Sequence, residues 1–238
     1  MELKGKTAVV TGSAAGIGKA LKDILLEKGC NVAGIDLHNE EKRAENEMSF
    51  VADISDAASV ERIRDEIVDA FGSVDILINN AAIQTVASFD DTEISDFERI
   101  IQVNLVGTFI CTKLFAEKMQ EGDTIINMLS VHHNVPRLDK FGYDAAKAGE
   151  AMLTRETALA LSDRKITCNG VAIGAVATPM NEDWIHDEAA VENTKKKIPL
   201  KWIASPEEIA LHVVQVIEDF ADCCTGTIFT IDGGRSLR

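Results

Sequence analysis

Tyr143 and Lys147 stand four residues apart in a segment of good helix formers, so a helix there carries both side chains on one face. A free phenol has a pKa near 10 and is a poor base at neutral pH, but an ammonium beside it favours the phenolate. Such a pair is a general acid/base able to pass a proton to or from the oxygen of a small molecule. The Y-x-x-x-K spacing alone arises often by chance. Ser130, thirteen residues before Tyr143, adds to it, because it ends an apolar run of strand length. A hydroxyl at the carboxyl end of a strand sits where open α/β sheets hold their ligands, and it can polarise a carbonyl.

A second cluster lies near the amino end. Thr11-Gly12-Ser13-Ala14-Ala15-Gly16-Ile17-Gly18 follows an apolar run and opens a segment of helical period. Gly12 permits a tight turn, Gly16 lets the backbone approach a pyrophosphate, and Gly18 lets the helix pack closely on a sheet. The helix N-terminus then offers free N–H groups to phosphates, which makes Gly12, Ser13, Gly16, Ile17 and Gly18 candidate contacts of a dinucleotide. Asp36 ends the next apolar run, eighteen residues beyond Gly18, where a carboxylate can accept hydrogen bonds from adenosine ribose hydroxyls. It would also repel a 2′-phosphate, and Leu37 rather than an arginine follows it, so NAD is expected in preference to NADP. Lys42 and Arg43, close by in sequence, weigh the other way. Asp53 keeps two readings, a contact with the adenine amino group or a helix N-cap.

These residues need a frame. Runs of strand length at 7–11, 31–36, 49–52, 75–79, 124–129, 165–172 and 227–231 alternate with helical segments at 17–28, 57–71, 94–119, 143–161 and 206–220. The strands are continuous in Val, Ile and Leu rather than alternating, as in a parallel sheet covered on both faces. The expected fold is therefore α/β, a single-domain Rossmann-type doubly wound parallel sheet over residues 1–238. The polar stretch from Asn39 to Glu47 is too short for a crossover helix and is expected to be a turn or stub helix. Thr178 to Ser205 reads as a long irregular loop, containing Trp184 and Trp202, of the kind that serves as a substrate lid.

Composition narrows the function. Against 24 Lys and Arg stand 39 Asp and Glu, a formal charge of −15 that repels nucleic acid and anionic lipid, so neither is an expected partner. Five cysteines without C-x-x-C or zinc-like spacing suit a reducing compartment, and the paired His132 and His133 lack a third ligand at metal spacing; no metal is expected. With no signal peptide and no uninterrupted apolar run of spanning length, the expected location is the cytoplasm.

Taken together, T-G-x-x-x-G-I-G, Asn79-Asn80-Ala81, Ser130 with Tyr143 and Lys147, and the late Asp232-Gly233-Gly234 resemble the short-chain dehydrogenase/reductase family, from about Lys4 to Leu237. The resemblance implies that Tyr143 donates or accepts the proton. It implies that Lys147 lowers the pKa of Tyr143 and holds the nicotinamide ribose, that Ser130 orients the substrate oxygen, and that Asn104 holds a water in the proton relay. It further implies that Asn80 packs beside the cofactor, that Thr178 meets the carboxamide, and that the protein is a homotetramer. Three positions depart from the pattern: Ala82 replaces a glycine, Ile173 precedes Gly174 in place of proline, and Leu129 stands where a serine is common.

Within the family, Asn127 to His132 with Pro136, Ile198-Pro199-Leu200 and Pro206 to Ala210 resemble bacterial glucose 1-dehydrogenases, and the ending also resembles 3-oxoacyl-(acyl-carrier-protein) reductases. Interconversion of a secondary alcohol and a ketone or lactone on a sugar or polyol is the leading expectation. A 3-oxoacyl reductase and a non-catalytic dinucleotide-binding protein are the alternatives. Gln84, His132, Asn134 and Trp184 are the candidate substrate contacts, with His133, Glu182 and His186 in segments expected to border the same pocket.

Overall fold

The structure, a computed structural model, describes residues 1–237. Eight strands form one sheet in the order β3-β4-β2-β1-β5-β6-β7-β8. Their ranges are β1 Thr7–Thr11, β2 Asn31–Asp36, β3 Lys42–Arg43, β4 Glu47–Val51, β5 Ile76–Asn79, β6 Thr124–Ser130, β7 Thr167–Ile173 and β8 Ile228–Ile231. All pairings are parallel except β3 with β4. Every residue of β1, β5 and β6 is buried, the outcome expected of continuous apolar strands covered on both faces.

Two large apolar cores flank the sheet, beside a small one of Leu129, Ala151 and Ala172. On one side α1 (Gly16–Glu27) and α8 (Pro206–Phe220) pack Leu21, Leu25, Val213 and Ile217 onto Val10 and Ile78. On the other, α2 (Ala57–Phe71) and α4 (Thr108–Ala116) pack Ile63, Ile67 and Phe115 onto Val9 and Leu77. Burying each such side chain contributes roughly 1.5–3 kcal/mol before the entropy of ordering it. Local sequence sets the helix ends: the Asp56 carboxylate caps α2 by accepting from Ala58 N, and Ser205 with Glu208 forms a capping box at α8.

Three segments differ from expectation. The helix expected over 94–119 ends at Ala116, and between α3 (Ile94–Ile100) and α4 it passes through a π-helical segment, Ile101–Gly107. By composition this whole stretch, Ile94–Ala116, could cross a bilayer, but half of its most apolar window is buried inside the domain. Lys42–Arg43 is a short antiparallel strand, not a turn or stub helix, because it pairs with Met48 and Ser49 along the edge of β4. The stretch from Thr178 to Ser205 is largely helical, with a 3-10 turn at Pro179–Asn181, α6 (Glu182–Ile185) and α7 (Glu188–Lys196); the Asp187 carboxylate caps α7. A backbone bridge between Val176 and Ala204 closes its base. The remaining helix, α5 (Phe141–Leu161), carries the chemistry.

Candidate active site

A cavity of about 660 Å³ runs across the carboxyl ends of the strands. Gly12, Gly16, Ile17, Asp36, Asp53, Asn80, Ser130, Tyr143, Lys147 and Thr178, expected from sequence, all line it. At one end, the α1 N-cap is Ala15, with no side-chain cap and no acidic residue in the first turn, so its free N–H groups are left for a ligand. The turn before it is held tightly. A Cβ on Gly18 would lie 1.9 Å from the Gly12 carbonyl oxygen, and the Asn80 side chain donates to the carbonyls of Thr11 and Gly12 at 3.0 and 3.1 Å. An uncapped helix start behind a glycine cradle fits a dinucleotide pyrophosphate.

Two of the expected phosphate-side residues are corrected. Ser13 is fully buried and its hydroxyl faces Asn39 and Gly34 rather than the cavity, since Asn39 Nδ2 donates to it at 3.1 Å while bridging Gly34 and Phe50. Gly18 faces the turn and not the cavity, as close packing of helix on sheet requires.

The Asp36 carboxylate accepts from Ala14 N at 3.1 Å and from His38 N at 2.9 Å, which fixes it at the cavity rim. Asp53 is not the helix cap, a role taken by Asp56; it accepts from the Ser55 hydroxyl and pairs with Arg99, and these contacts together hold its pKa low despite burial. Lys42 and Arg43 are absent from the cavity wall. Lys42 pairs with Glu47, and Arg43 pairs with Glu66 while its guanidinium stacks 4.0 Å from the Phe50 ring centre.

At the other end, β6 delivers Ser130 and α5 delivers Tyr143 and Lys147. Lys147, 3% exposed, donates to the Met128 carbonyl at 2.8 Å and to the Glu150 carboxylate at 3.0 Å, with its ammonium 5.6 Å from the centre of the Tyr143 ring. The expected lowering of the Tyr143 pKa is not realised: the phenol is raised above its ordinary value. Burial raises it and dominates, the Lys147 charge and a hydrogen bond with Ser130 pull it down, and Glu150 pushes it up again by offsetting the Lys147 charge. Glu150 itself is 1% exposed, raised by burial to about 7, and its Oε1 has no partner.

Asn104 lies within the π-helical segment and is fully buried behind the cavity wall; its Oδ1 accepts from Ile83 N and its Nδ2 donates to Ile83 O, both at 2.9 Å. It therefore clamps the irregular segment that follows β5. The departures from the family pattern cause little disturbance. Ala82 has no positive φ, and the chain after Ile173 is tied by a bond from Gly174 N to Ile231 O at 3.0 Å, so proline is not needed to stiffen it.

Of the substrate candidates, Gln84, His132 and Trp184 line the cavity. Asn134 does not: it is exposed beyond the 3-10 turn at 131–133 that closes β6, with its N–H bonded to Val131 O. His133, Glu182 and His186 are likewise outside the wall. Sequence reading missed Lys140, which is 6% exposed and donates to Gln84 Oε1 at 2.5 Å, and it missed Glu150. For Glu150 a signal existed, an acidic residue three positions after Lys147 on the same buried helix face; for Lys140 the contact is made across 56 residues of chain.

The family model described as enoyl-(acyl carrier protein) reductase matches residues 12–236. Among characterised relatives, a 3beta-hydroxysteroid dehydrogenase of Eggerthella lenta is 36% identical over 99% of this chain and 95% of its own length. Glucose 1-dehydrogenase 2 of Bacillus subtilis is 31% identical over 99% and 96%, and a 3-oxoacyl-(acyl-carrier-protein) reductase of Thermotoga maritima 32% over 98% and 99%. Among solved structures, a short-chain dehydrogenase from Burkholderia cenocepacia in complex with NADP superposes with a TM-score of 0.88 at 30% identity, covering 99% of both chains. With a Rossmann-type sheet, a glycine cradle and a Ser130–Tyr143–Lys147 wall matched along nearly its whole length, the chain belongs to the short-chain dehydrogenase/reductase family, enzymes that use a nicotinamide dinucleotide to act on CH–OH groups.

Proposed function

We propose that this protein interconverts a secondary alcohol and a ketone or lactone with NAD, on a small hydroxyl-bearing substrate of the sugar or polyol class. The observation that carries the reading is one cavity wall that brings together Ser130, Tyr143 and Lys147, with the Lys147 ammonium 5.6 Å from the Tyr143 ring centre, continuous with the glycine cradle. A nicotinamide bound at this wall supplies the hydride acceptor for oxidation and the donor for reduction. Tyr143 Oη takes the proton of the substrate hydroxyl in oxidation and returns it in reduction. Ser130 Oγ holds the substrate oxygen in line, and Lys147 supplies the positive charge that steadies the phenolate and a donor for the cofactor ribose. The segment 178–205 forms a lid whose Trp184 excludes water, with Gln84 bonded to the Met180 carbonyl at its root.

Three observations support the finer assignments. Asp36 is at the rim, while Lys42 and Arg43 are bound elsewhere, which favours NAD. Gln84, His132 and Asn181 make the substrate end polar, as hydroxyl-rich ligands require, and glucose 1-dehydrogenase is among the relatives. Exposed Phe109, Met152 and Leu159 on α4 and α5 suit burial in a homotetramer, to be checked by light scattering.

The test is a panel of sugars, polyols and 3-oxoacyl thioesters followed by NADH absorbance, with dinucleotide binding measured separately. Turnover of a sugar or polyol is expected; binding without turnover of any alcohol or ketone would overturn the enzymatic reading, and turnover of the thioesters alone would favour the acyl reductase. Asp36→Ala should shift the NAD to NADP preference toward NADP by about tenfold, the size of one lost charge discrimination. An unchanged preference would remove Asp36 from that role.

A further inference from the structure

Lys140 is placed where burial and the helix dipole both oppose its charge. Its side chain is buried at 6% exposure and its residue is the N-cap of the 21-residue helix α5, the end at which the helix dipole disfavours a cation. Its ammonium has three donors, and the structure gives it one polar partner, the neutral Gln84 Oε1 at 2.5 Å. Buried charges are ordinarily paired. The two carboxylates nearest in sequence are engaged elsewhere: Asp139 pairs with the Arg137 guanidinium at 2.9 Å, and Asp144 accepts from the Arg137 backbone N–H at 2.7 Å with its other oxygen 4.0 Å from His132 Nδ1. No carboxylate among the described residues forms an ion pair with Lys140.

The charges of the cavity wall are sorted in the same sense. Asp36 and Asp53 are the carboxylates that line it, and both belong to the adenosine end. The end beyond Tyr143 is lined by Arg137, Lys140 and Lys197 in a chain whose formal charge is −15. A local positive field in an acidic protein raises the local concentration of anions. Gln84 is anchored by its Nε2 to the Met180 carbonyl at 2.8 Å, so its oxygen is fixed against Lys140 and the ammonium is held, not free to leave for solvent. The Lys140 nitrogen is 5.5 Å from the centre of the Tyr143 ring, close enough for one small molecule to reach both.

We propose that Lys140, held by Gln84, binds a carboxylate of the substrate, so that, within the sugar and polyol class, the molecule oxidised or reduced at Tyr143 is an acidic member, a short hydroxy or oxo carboxylate. The inference rests on the proposed proton-transfer role of Tyr143 and adds the substrate's charge. It assigns the unused donors of the ammonium to a charge-assisted hydrogen bond, and it explains why an amide rather than an acid stands beside Lys140: an acid there would neutralise the site.

The test uses the full-length protein with NAD and a series of 2-, 3- and 4-hydroxy acids, each beside its methyl ester, together with a sugar phosphate. At least one acid should exceed its ester in kcat/KM by roughly 10- to 100-fold, the range of one charge-assisted bond. In Lys140→Met that ratio should collapse toward one, and Lys140→Arg should recover part of it; NAD affinity is the control for folding. A ratio unchanged in Lys140→Met, or a wild-type preference for the esters, overturns the proposal, and a preference for the sugar phosphate alone overturns the carboxylate assignment. Binding of butyrate and of malonate to the protein–NAD complex, measured by calorimetry, separates this from the reaction itself. Saturable binding that Lys140→Met abolishes upholds the anion site even if no alcohol is turned over, and absence of binding to the wild type sinks it.

Discussion

Lys147 within α5 and Lys140 at its N-cap stand at nearly the same distance from the Tyr143 ring, 5.6 and 5.5 Å, and both are buried, yet their affinities for a proton move in opposite directions. Burial works against the charge of each. At Lys147 burial opposes the charge but Glu150 and Tyr143 together outweigh it and the pKa is raised; at Lys140 burial prevails, helped by the like charge of Arg137, and the pKa falls to about 8. The partner, not the depth, decides the outcome. The pair divides the site accordingly. One ammonium is locked in its charged form beside the phenol, and the other keeps unused donors and titrates near neutrality on the substrate side.

Between the two lysines, the larger effect should come from removing the locked charge. Lys147→Met should lower turnover by about 10²–10³-fold and weaken dinucleotide binding, because it removes both the charge that favours the phenolate and the donor toward the ribose. Stopped-flow and equilibrium binding would check it; a variant within a few-fold of wild type in both would erase the contrast between the two lysines.

Next in size is the pH response of the other lysine. Arg137 lowers the Lys140 pKa, while Asp139 and Asp144 raise it without overcoming burial; His132, near Asp144, is itself held toward the neutral form, chiefly by burial. Lys140 is charged below about pH 8 and neutral above it. The KM for a hydroxy acid should therefore be flat below that point and rise by up to about tenfold per pH unit above it, with no such rise for the methyl ester. Parallel profiles for acid and ester would contradict the assignment.

Much of this site was legible in local spacing. The glycine turn, the Tyr143–Lys147 pair and Ser130 at a strand end depend on residues near one another in the chain, and each lies where spacing placed it. The unread parts depend on packing. The acidity of Tyr143 was misjudged because an ammonium is visible in sequence, while the burial and the Glu150 charge that oppose it are not. Asn134 belongs to a polar segment expected at the pocket, but the 3-10 turn sends it outward. The two-residue strand at Lys42–Arg43 is too short to carry a periodic signal, and the π-helical segment around Asn104 has the same apolar pattern as the helix that contains it.

The smallest expected effect concerns Glu150, a positioning residue that acts on Tyr143 through Lys147. Its carboxylate raises the pKa of both neighbours. Glu150→Gln removes that charge, so the Tyr143 pKa should fall, and in alcohol oxidation, where the phenolate is the base, the rising limb of kcat/KM should move to lower pH by roughly half to one unit. A limb that stays in place or moves upward would show that Glu150 does not tune the phenol.

The central claim is that the Tyr143 phenol carries the proton while other residues hold the dinucleotide. Tyr143→Phe removes one oxygen atom and keeps the ring, so NAD affinity should stay within about twofold of wild type while turnover falls by roughly 10²–10⁴-fold, the span attributed to a positioned general acid/base. Turnover retained within a few-fold of wild type in that variant, with binding intact, would contradict the account.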